Sequence, residues 1–200
     1  MKQLFIILSL GLLLISCMKR TDLETLKQNE NVLDKIKEIK ELVKDKDPIY
    51  GLVSYRTDEL QNFNFGEILF SKYEMEKGYN ADYNDLFIHV DSYKTNKFIG
   101  ITLDLVNQEQ CQNFLKYFKK KYGKPESHSA QYDREAYFWD DKKLNQWVLV
   151  YKYDGLTRDD KTFKHLNCTI IKKGTRVENS TDLKFFSILN SFNMAHMNSD

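Results

Sequence analysis

The residues whose types and spacing point most directly to chemistry lie at the N-terminus, where Cys17 follows an apolar run over residues 4–15. Lys2 supplies a positive charge before that run, and the small residue Ser16 precedes the cysteine, as a secretory cleavage site requires. Residues 1–16 are therefore predicted to be a signal peptide, with Cys17 as the first residue of the mature chain.

The sequence Leu14-Ile15-Ser16-Cys17 resembles the lipobox of bacterial lipoproteins, which reads aliphatic, small or aliphatic, small, cysteine. The resemblance covers residues 1–17 alone. It implies cleavage before Cys17, a diacylglyceryl thioether on its sulfur and an acyl group such as palmitate on its new amine. One alternative is a membrane-spanning helix, but the apolar run would extend about 18 Å across a hydrocarbon core of about 30 Å. A second alternative is an ordinary secretory signal that is cut elsewhere.

The same resemblance implies a location in the cell envelope, with the membrane bound through acylated Cys17. Met18 and Lys19 lack the aspartate that retains some lipoproteins on the inner membrane, and no acidic run follows the cysteine. By resemblance we expect a periplasm-facing, outer-membrane lipoprotein if the cell is Gram-negative. Residues 17–22 form the lipidated tether, so the folded part should lie close to the bilayer.

Composition limits the partners further. Without Lys2 the mature chain has 29 basic and 29 acidic side chains, so its formal charge is zero. No polybasic block is present, which argues against nucleic acid as a partner. The P-loop, G-x-G-x-x-G and G-x-S-x-G motifs are also missing, and we expect no cofactor. We expect a monomer.

The elements that must position any site begin with a predicted amphipathic helix over residues 23–46. Thr21 and Glu24 have the spacing of a capping box, and an apolar stripe with 4-3-4 spacing follows at Val32, Ile36, Ile39 and Val43. The stripe would either dock on the protein's own sheet or bind a partner.

Residues 49–192 are predicted to form a single α+β domain. Its two-layer architecture combines a mainly antiparallel twisted sheet with helices packed on it. The clearest helix begins at Asn107 and stops before Gly123, with Cys111, Phe114 and Phe118 on its buried side. Thr181 or Asp182 could cap a C-terminal helix, and residues 193–200 are predicted to be a frayed tail.

Aromatic side chains suggest a binding face on two neighbouring predicted strands. Tyr137 and Trp139 share one face of the first strand, and Trp147 and Tyr151 share one face of the second. Together these four rings could form a panel for a sugar, peptide or apolar ligand. The alternative is that this face is the core, covered by the N- or C-terminal helix.

Two cysteines besides Cys17 are predicted to point inward. Cys111 lies on the buried side of its helix, and Cys168 alternates with Leu166 and Ile170. They could form a disulfide in an oxidising envelope or remain two buried thiols. The four histidines His89, His128, His165 and His196 have no metal-ligand spacing, so no metal site is predicted.

These observations favour a lipid-anchored, non-catalytic envelope protein that binds a protein, peptide or envelope glycan. The aromatic face or the N-terminal helix would meet the partner. One alternative is a protective lipoprotein that blocks a toxin or hydrolase, as an immunity protein or inhibitor does. Another is an envelope hydrolase with a dispersed catalytic site, which would need histidine and carboxylates converging in a cleft.

Overall fold

The structure is a computed structural model that describes residues 20–39, 41–74, 84–158 and 161–197. The predicted signal peptide and Cys17 lie outside the described residues. The elements, in chain order, are β1 (Thr21–Asp22), α1 (Leu33–Ile36), β2 (Val43–Lys46), β3 (Val53–Thr57), β4 (Phe63–Phe65), β5 (Ile68–Leu69), β6 (Asp85–Val90), β7 (Phe98–Leu105), α2 (Gln108–Tyr122), β8 (Ser127–Gln131), β9 (Arg134–Asp141), β10 (Gln146–Arg158), β11 (Lys161–Lys172) and α3 (Ile188–His196), with short 3-10 helices at Leu23–Thr25, Leu60–Asn62 and Val177–Asn179.

The predicted α+β class and antiparallel sheet are confirmed. Eight strands form the main sheet in the order β2-β3-β6-β7-β11-β10-β9-β8, and every neighbouring pair in it is antiparallel. A second sheet, β1-β4-β5, contains one parallel pair, β1 with β4. Strand β8, at one edge of the main sheet, was not predicted from the sequence.

Helix α2 forms where the sequence predicts it. The Asn107 side chain accepts a hydrogen bond from the Gln110 backbone at 2.9 Å, and Gly123 ends the helix with a φ of +70°. The buried side of α2 packs on the face of the sheet that we call the α2 face. Within the described ranges, no helix has the length and apolar character to cross a bilayer.

The continuous helix predicted over residues 23–46 is not formed. In its place are the 3-10 helix Leu23–Thr25, the one-turn helix α1 and strand β2 at the edge of the main sheet. Asn29 and Glu41 have φ values of 66° and 64°, which interrupt a right-handed helix. Apolar residues of this segment, Leu23, Val32 and Ile36, still enter the core beneath the α2 face.

The C-terminal helix begins later than the sequence predicts. Ser187, not Thr181 or Asp182, caps α3, since its side chain accepts from the Asn190 backbone at 3.1 Å. The helix continues to His196, through residues predicted to be frayed, while 198–200 lie outside the described residues. Ile188 and Phe192 of α3 pack on the opposite side of the main sheet, which we call the α3 face.

Candidate functional site

The four aromatic residues of the predicted panel are not brought together. On the β9–β10 ladder Trp139 pairs with Val148 and Tyr137 with Val150, and directly paired side chains share a face. The last pair of the ladder is Asp141 with Gln146, so the loop between the two strands has four residues. Because this number is even, each odd-numbered residue of β9 pairs with an even-numbered residue of β10. The predicted panel is therefore divided between the two faces of the sheet.

Tyr137 and Trp139 lie in the core beneath α2. Their exposed fractions are 3% and 2%, and the indole nitrogen of Trp139 donates to the Gly123 carbonyl at 3.0 Å. The Lys119 ammonium lies 4.4 Å from the centre of the Tyr137 ring. These two rings therefore stabilise the contact between α2 and the sheet and offer no binding face.

Trp147 and Tyr151 lie on the α3 face, where they pack against the smaller core cluster. The Tyr151 ring stacks on His196 of α3 with ring centres 4.1 Å apart. The C-terminal helix thus covers Tyr151, while Trp147 is half-buried on the same face.

Cys111 and Cys168 are both buried free thiols. The Cys111 thiol donates to the Leu105 carbonyl at 3.2 Å, and burial raises its pKa to about 12. Burial also raises the pKa of Cys168. Thiols held protonated in this way are poor nucleophiles and act as small core residues.

His89 lies in a buried chain of hydrogen bonds on the α3 face. The Ser54 hydroxyl donates to the Leu52 carbonyl at 2.9 Å, so at 2.7 Å it must accept from Nδ1–H of His89. Burial lowers the pKa of His89 to about 4, so Nε2 of the neutral ring accepts from Thr102 at 2.8 Å. Thr102 in turn accepts from Thr169 at 2.9 Å. Although Ser54 and His89 are paired, both are fully buried and out of reach of a substrate.

A group of charged side chains lies further along the α3 face. Arg56, Asp85, Asp104 and His165 come from β3, β6, β7 and β11, and we call them the charged row. Arg56 donates to Asp85 at 2.7 Å, His165 pairs with Asp104, and Asp85 lies directly opposite Asp104 on the ladder. No sequence motif marks this row, because its members become neighbours only through strand register.

The charged row can hold a proton near neutral pH. Burial raises the pKa of Asp85 to about 6, against the opposing effect of the Arg56 guanidinium. Burial lowers the pKa of His165, but its hydrogen bond with Asp104 outweighs this, so the net pKa is raised. A histidine–carboxylate pair acts in hydrolases on a neighbouring nucleophile, and the four residues of the charged row include no serine, threonine or cysteine. The charged row is therefore only weak support for an envelope hydrolase with a dispersed catalytic site.

Two surfaces outside the predicted sites are better placed for binding. The first, which we call the distal patch, consists of Leu183, Phe185 and Phe186 in the segment before α3. Their exposed fractions are 79%, 43% and 56%, which is unusual for three large apolar residues so close in sequence. The second, which we call the N-terminal cleft, has a volume of about 820 Å³ and is lined by residues within 20–39, by Glu41 and by residues within 59–62.

Comparisons with known proteins show no match to a protein-family model, to a curated protein or to a solved structure.

Proposed function

We propose that this chain is a lipid-anchored protein of the bacterial cell envelope that acts by binding another protein through the distal patch. The observation that carries the proposal is the exposure of Leu183, Phe185 and Phe186 on a segment fixed by hydrogen bonds. Fully burying a Leu or Phe side chain contributes about 1.5–3 kcal/mol, so three such residues could supply much of an interface's affinity.

The distal patch is held in place on both sides. The Phe185 backbone donates to the Asp182 carbonyl at 3.2 Å, and the Phe186 carbonyl accepts from Val177 at 3.1 Å. Just beyond the patch, the Ile188 backbone donates to Thr175 at 3.0 Å. A surface ordered before binding loses little conformational entropy when a partner arrives, which favours a specific interface.

The position of the patch favours a protein over the bilayer as its partner. If Cys17 is lipidated, the three peptide units to Arg20 reach at most about 10 Å, so Arg20 and the N-terminal cleft that it lines lie close to the membrane. Glu41 lines that cleft, and strand β2 begins two residues later. The four residues of β2 extend about 13 Å and lead into a turn. There the Tyr50 carbonyl accepts from Glu178, in the 3-10 helix that adjoins Phe186. The patch therefore lies at the end of the hairpin β2–β3 away from the anchor.

The anchor is tested by the variant Cys17→Ala. We expect the wild-type protein to sediment with membranes and to carry acyl chains on Cys17 by mass spectrometry. The variant should appear in the soluble fraction, because several acyl chains are needed for firm attachment. A variant that stays in the membrane pellet after a high-salt wash would rule out lipid attachment through Cys17.

The distal patch is tested in intact cells with a photo-crosslinking amino acid at position 186. The matched control carries it at position 132, where the native Tyr132 is fully exposed in the β8–β9 turn. We expect one discrete protein adduct from position 186, none from position 132, and loss of the adduct when Leu183→Ser is added. Equal labelling at both positions, or labelling of lipid alone, would contradict the proposal. A crosslinked adduct between two copies of this chain would show that the distal patch mediates self-association and would overturn binding to a different protein.

A further inference from the structure

The N-terminal cleft has the charge pattern and the location of a site for a membrane headgroup. We propose that it binds the zwitterionic phosphoethanolamine headgroup of a phospholipid in the membrane that anchors the protein. This inference rests on the lipid anchor of the proposed function but not on the distal patch.

The cleft is within reach of the bilayer surface. Arg20, the first described residue, lines it, and Cys17 precedes Arg20 by three residues. The extended tether spans at most about 10 Å, and one headgroup region is about 5–8 Å deep. A lipid-anchored protein therefore keeps this cleft close to the headgroups, where their local concentration is very high.

Arg20 offers a donor that lacks an acceptor. Its Nη1 atom is buried and has no hydrogen-bond partner in the described part of the chain. A buried guanidinium nitrogen without an acceptor is costly, and phosphate is an oxygen ligand that arginine binds well. Lys35 and Lys37 line the same cleft and add positive charge nearby. These three side chains can hold the phosphate group.

The other side of the cleft is acidic and already binds one ammonium group. Oxygen atoms of Glu41, Asp58 and Glu59 lie within 4.8 Å of one another. The Lys72 ammonium contacts Asp58 at 3.2 Å and also pairs with Glu59, so this cluster accepts a primary ammonium group. Three carboxylates facing one lysine leave an excess of negative charge. Glu41 and Glu59 line the cleft and can therefore hold the ammonium end of the headgroup.

The balance of charge selects this headgroup over other lipids. Among the described residues, three basic and five acidic side chains line the cleft, so an anionic headgroup would meet net repulsion. A choline headgroup has no N–H donor for the carboxylates, whereas ethanolamine has three. Phosphoethanolamine satisfies both the unpaired donor of Arg20 and the excess of acceptors.

The binding experiment uses the full lipidated protein in uncharged maltoside micelles, with glycerophosphoethanolamine as the soluble probe. Binding is measured by titration calorimetry. We expect Arg20→Gln and Glu41→Gln each to weaken binding about tenfold, because each removes a charge-assisted hydrogen bond. The matched controls Lys142→Gln and Glu126→Gln change the same charges at exposed positions outside the cleft and should bind as wild type.

Competing probes separate the possible outcomes. Glycerophosphocholine and inorganic phosphate should each bind at least tenfold more weakly than glycerophosphoethanolamine. Equal binding of either probe, or no binding of glycerophosphoethanolamine, would overturn the proposal. Mass spectrometry of acylated Cys17 on the same sample distinguishes such a failure from the loss of the anchor.

A vesicle experiment tests whether the ligand is the membrane itself. The lipidated protein is placed in phosphatidylethanolamine-containing vesicles or in phosphatidylcholine vesicles, and amide hydrogen exchange is followed over residues 34–39, which line the cleft in part. Exchange should be slower in the ethanolamine vesicles, and in Arg20→Gln this difference should disappear. Identical exchange in both vesicles would refute docking on the membrane even if the soluble probe binds.

Discussion

Replacing Thr102 by Val should destabilise the protein far more than the same change at Thr169. Both threonines are buried in the hydrogen-bond chain that ends at Ser54. Thr102 donates to Nε2 of His89 at 2.8 Å and accepts from Thr169 at 2.9 Å, whereas Thr169 shares only the second of these bonds. Valine has nearly the shape of threonine, so the change removes hydrogen bonds with little effect on packing.

The expected magnitudes follow from these bonds. Each lost hydrogen bond costs about 1 kcal/mol net, and a buried polar atom left without any hydrogen-bond partner costs about 1–3 kcal/mol more. Thr102→Val removes two bonds and leaves Nε2 of His89 without a donor, so we expect a loss of about 3–5 kcal/mol in the free energy of unfolding. Thr169→Val leaves the bond from Thr102 to His89 intact and should cost about 1 kcal/mol.

Urea unfolding at pH 7 of the chain starting at residue 18, followed by tryptophan fluorescence and by circular dichroism, measures both losses. Coincidence of the two signals checks that unfolding is two-state. The reasoning fails if Thr169→Val costs as much as Thr102→Val. It also fails if Thr102→Val costs less than about 1 kcal/mol, the net value of a single hydrogen bond.

Three further predictions concern other buried groups. Because burial raises the pKa of Asp85 to about 6, its stabilising contribution is present at pH 4 and lost as pH rises through 6. The stability of wild type relative to Asp85→Asn should therefore grow as pH falls from 7 to 4, and parallel urea-stability curves would contradict this. Trp139→Phe removes the indole bond to a backbone carbonyl and should lower the free energy of unfolding by about 1–2 kcal/mol. Cys111 and Cys168 should both react with an aromatic disulfide reagent in urea and neither in the native state; no reactive thiol in urea would indicate a disulfide and contradict two free thiols.

The sequence was most informative where local signals determine structure. Asn107 and Gly123 fix the two ends of α2 through contacts within a few residues, and its buried side follows from helical spacing. Residues 23–46 have a similar apolar stripe, but β2 gains its hydrogen bonds from β3 instead. Pairing between strands is a tertiary interaction, which helical spacing alone does not reveal.

The binding surfaces could not be predicted because they depend on register and packing. If the pairing of β9 with β10 were shifted by one residue, Trp139 and Trp147 would lie on the same face of the sheet. The charged row requires the pairing of four strands that come from residues 53–172 of the chain. The distal patch was hidden because a helix capped at Thr181 or Asp182 would have included Leu183 and Phe186, whereas the helix begins at Ile188.

The central position of β11 has a consequence for the order in which the protein can fold. Strand β7 lies between β6 and β11, although β11 begins 56 residues after β7 ends. Helix α2 packs on residues of both strands, so its core closes only after residues 161–172 have been synthesised. Loop closure over such a separation slows folding. The nascent chain therefore remains loosely folded until it is nearly complete.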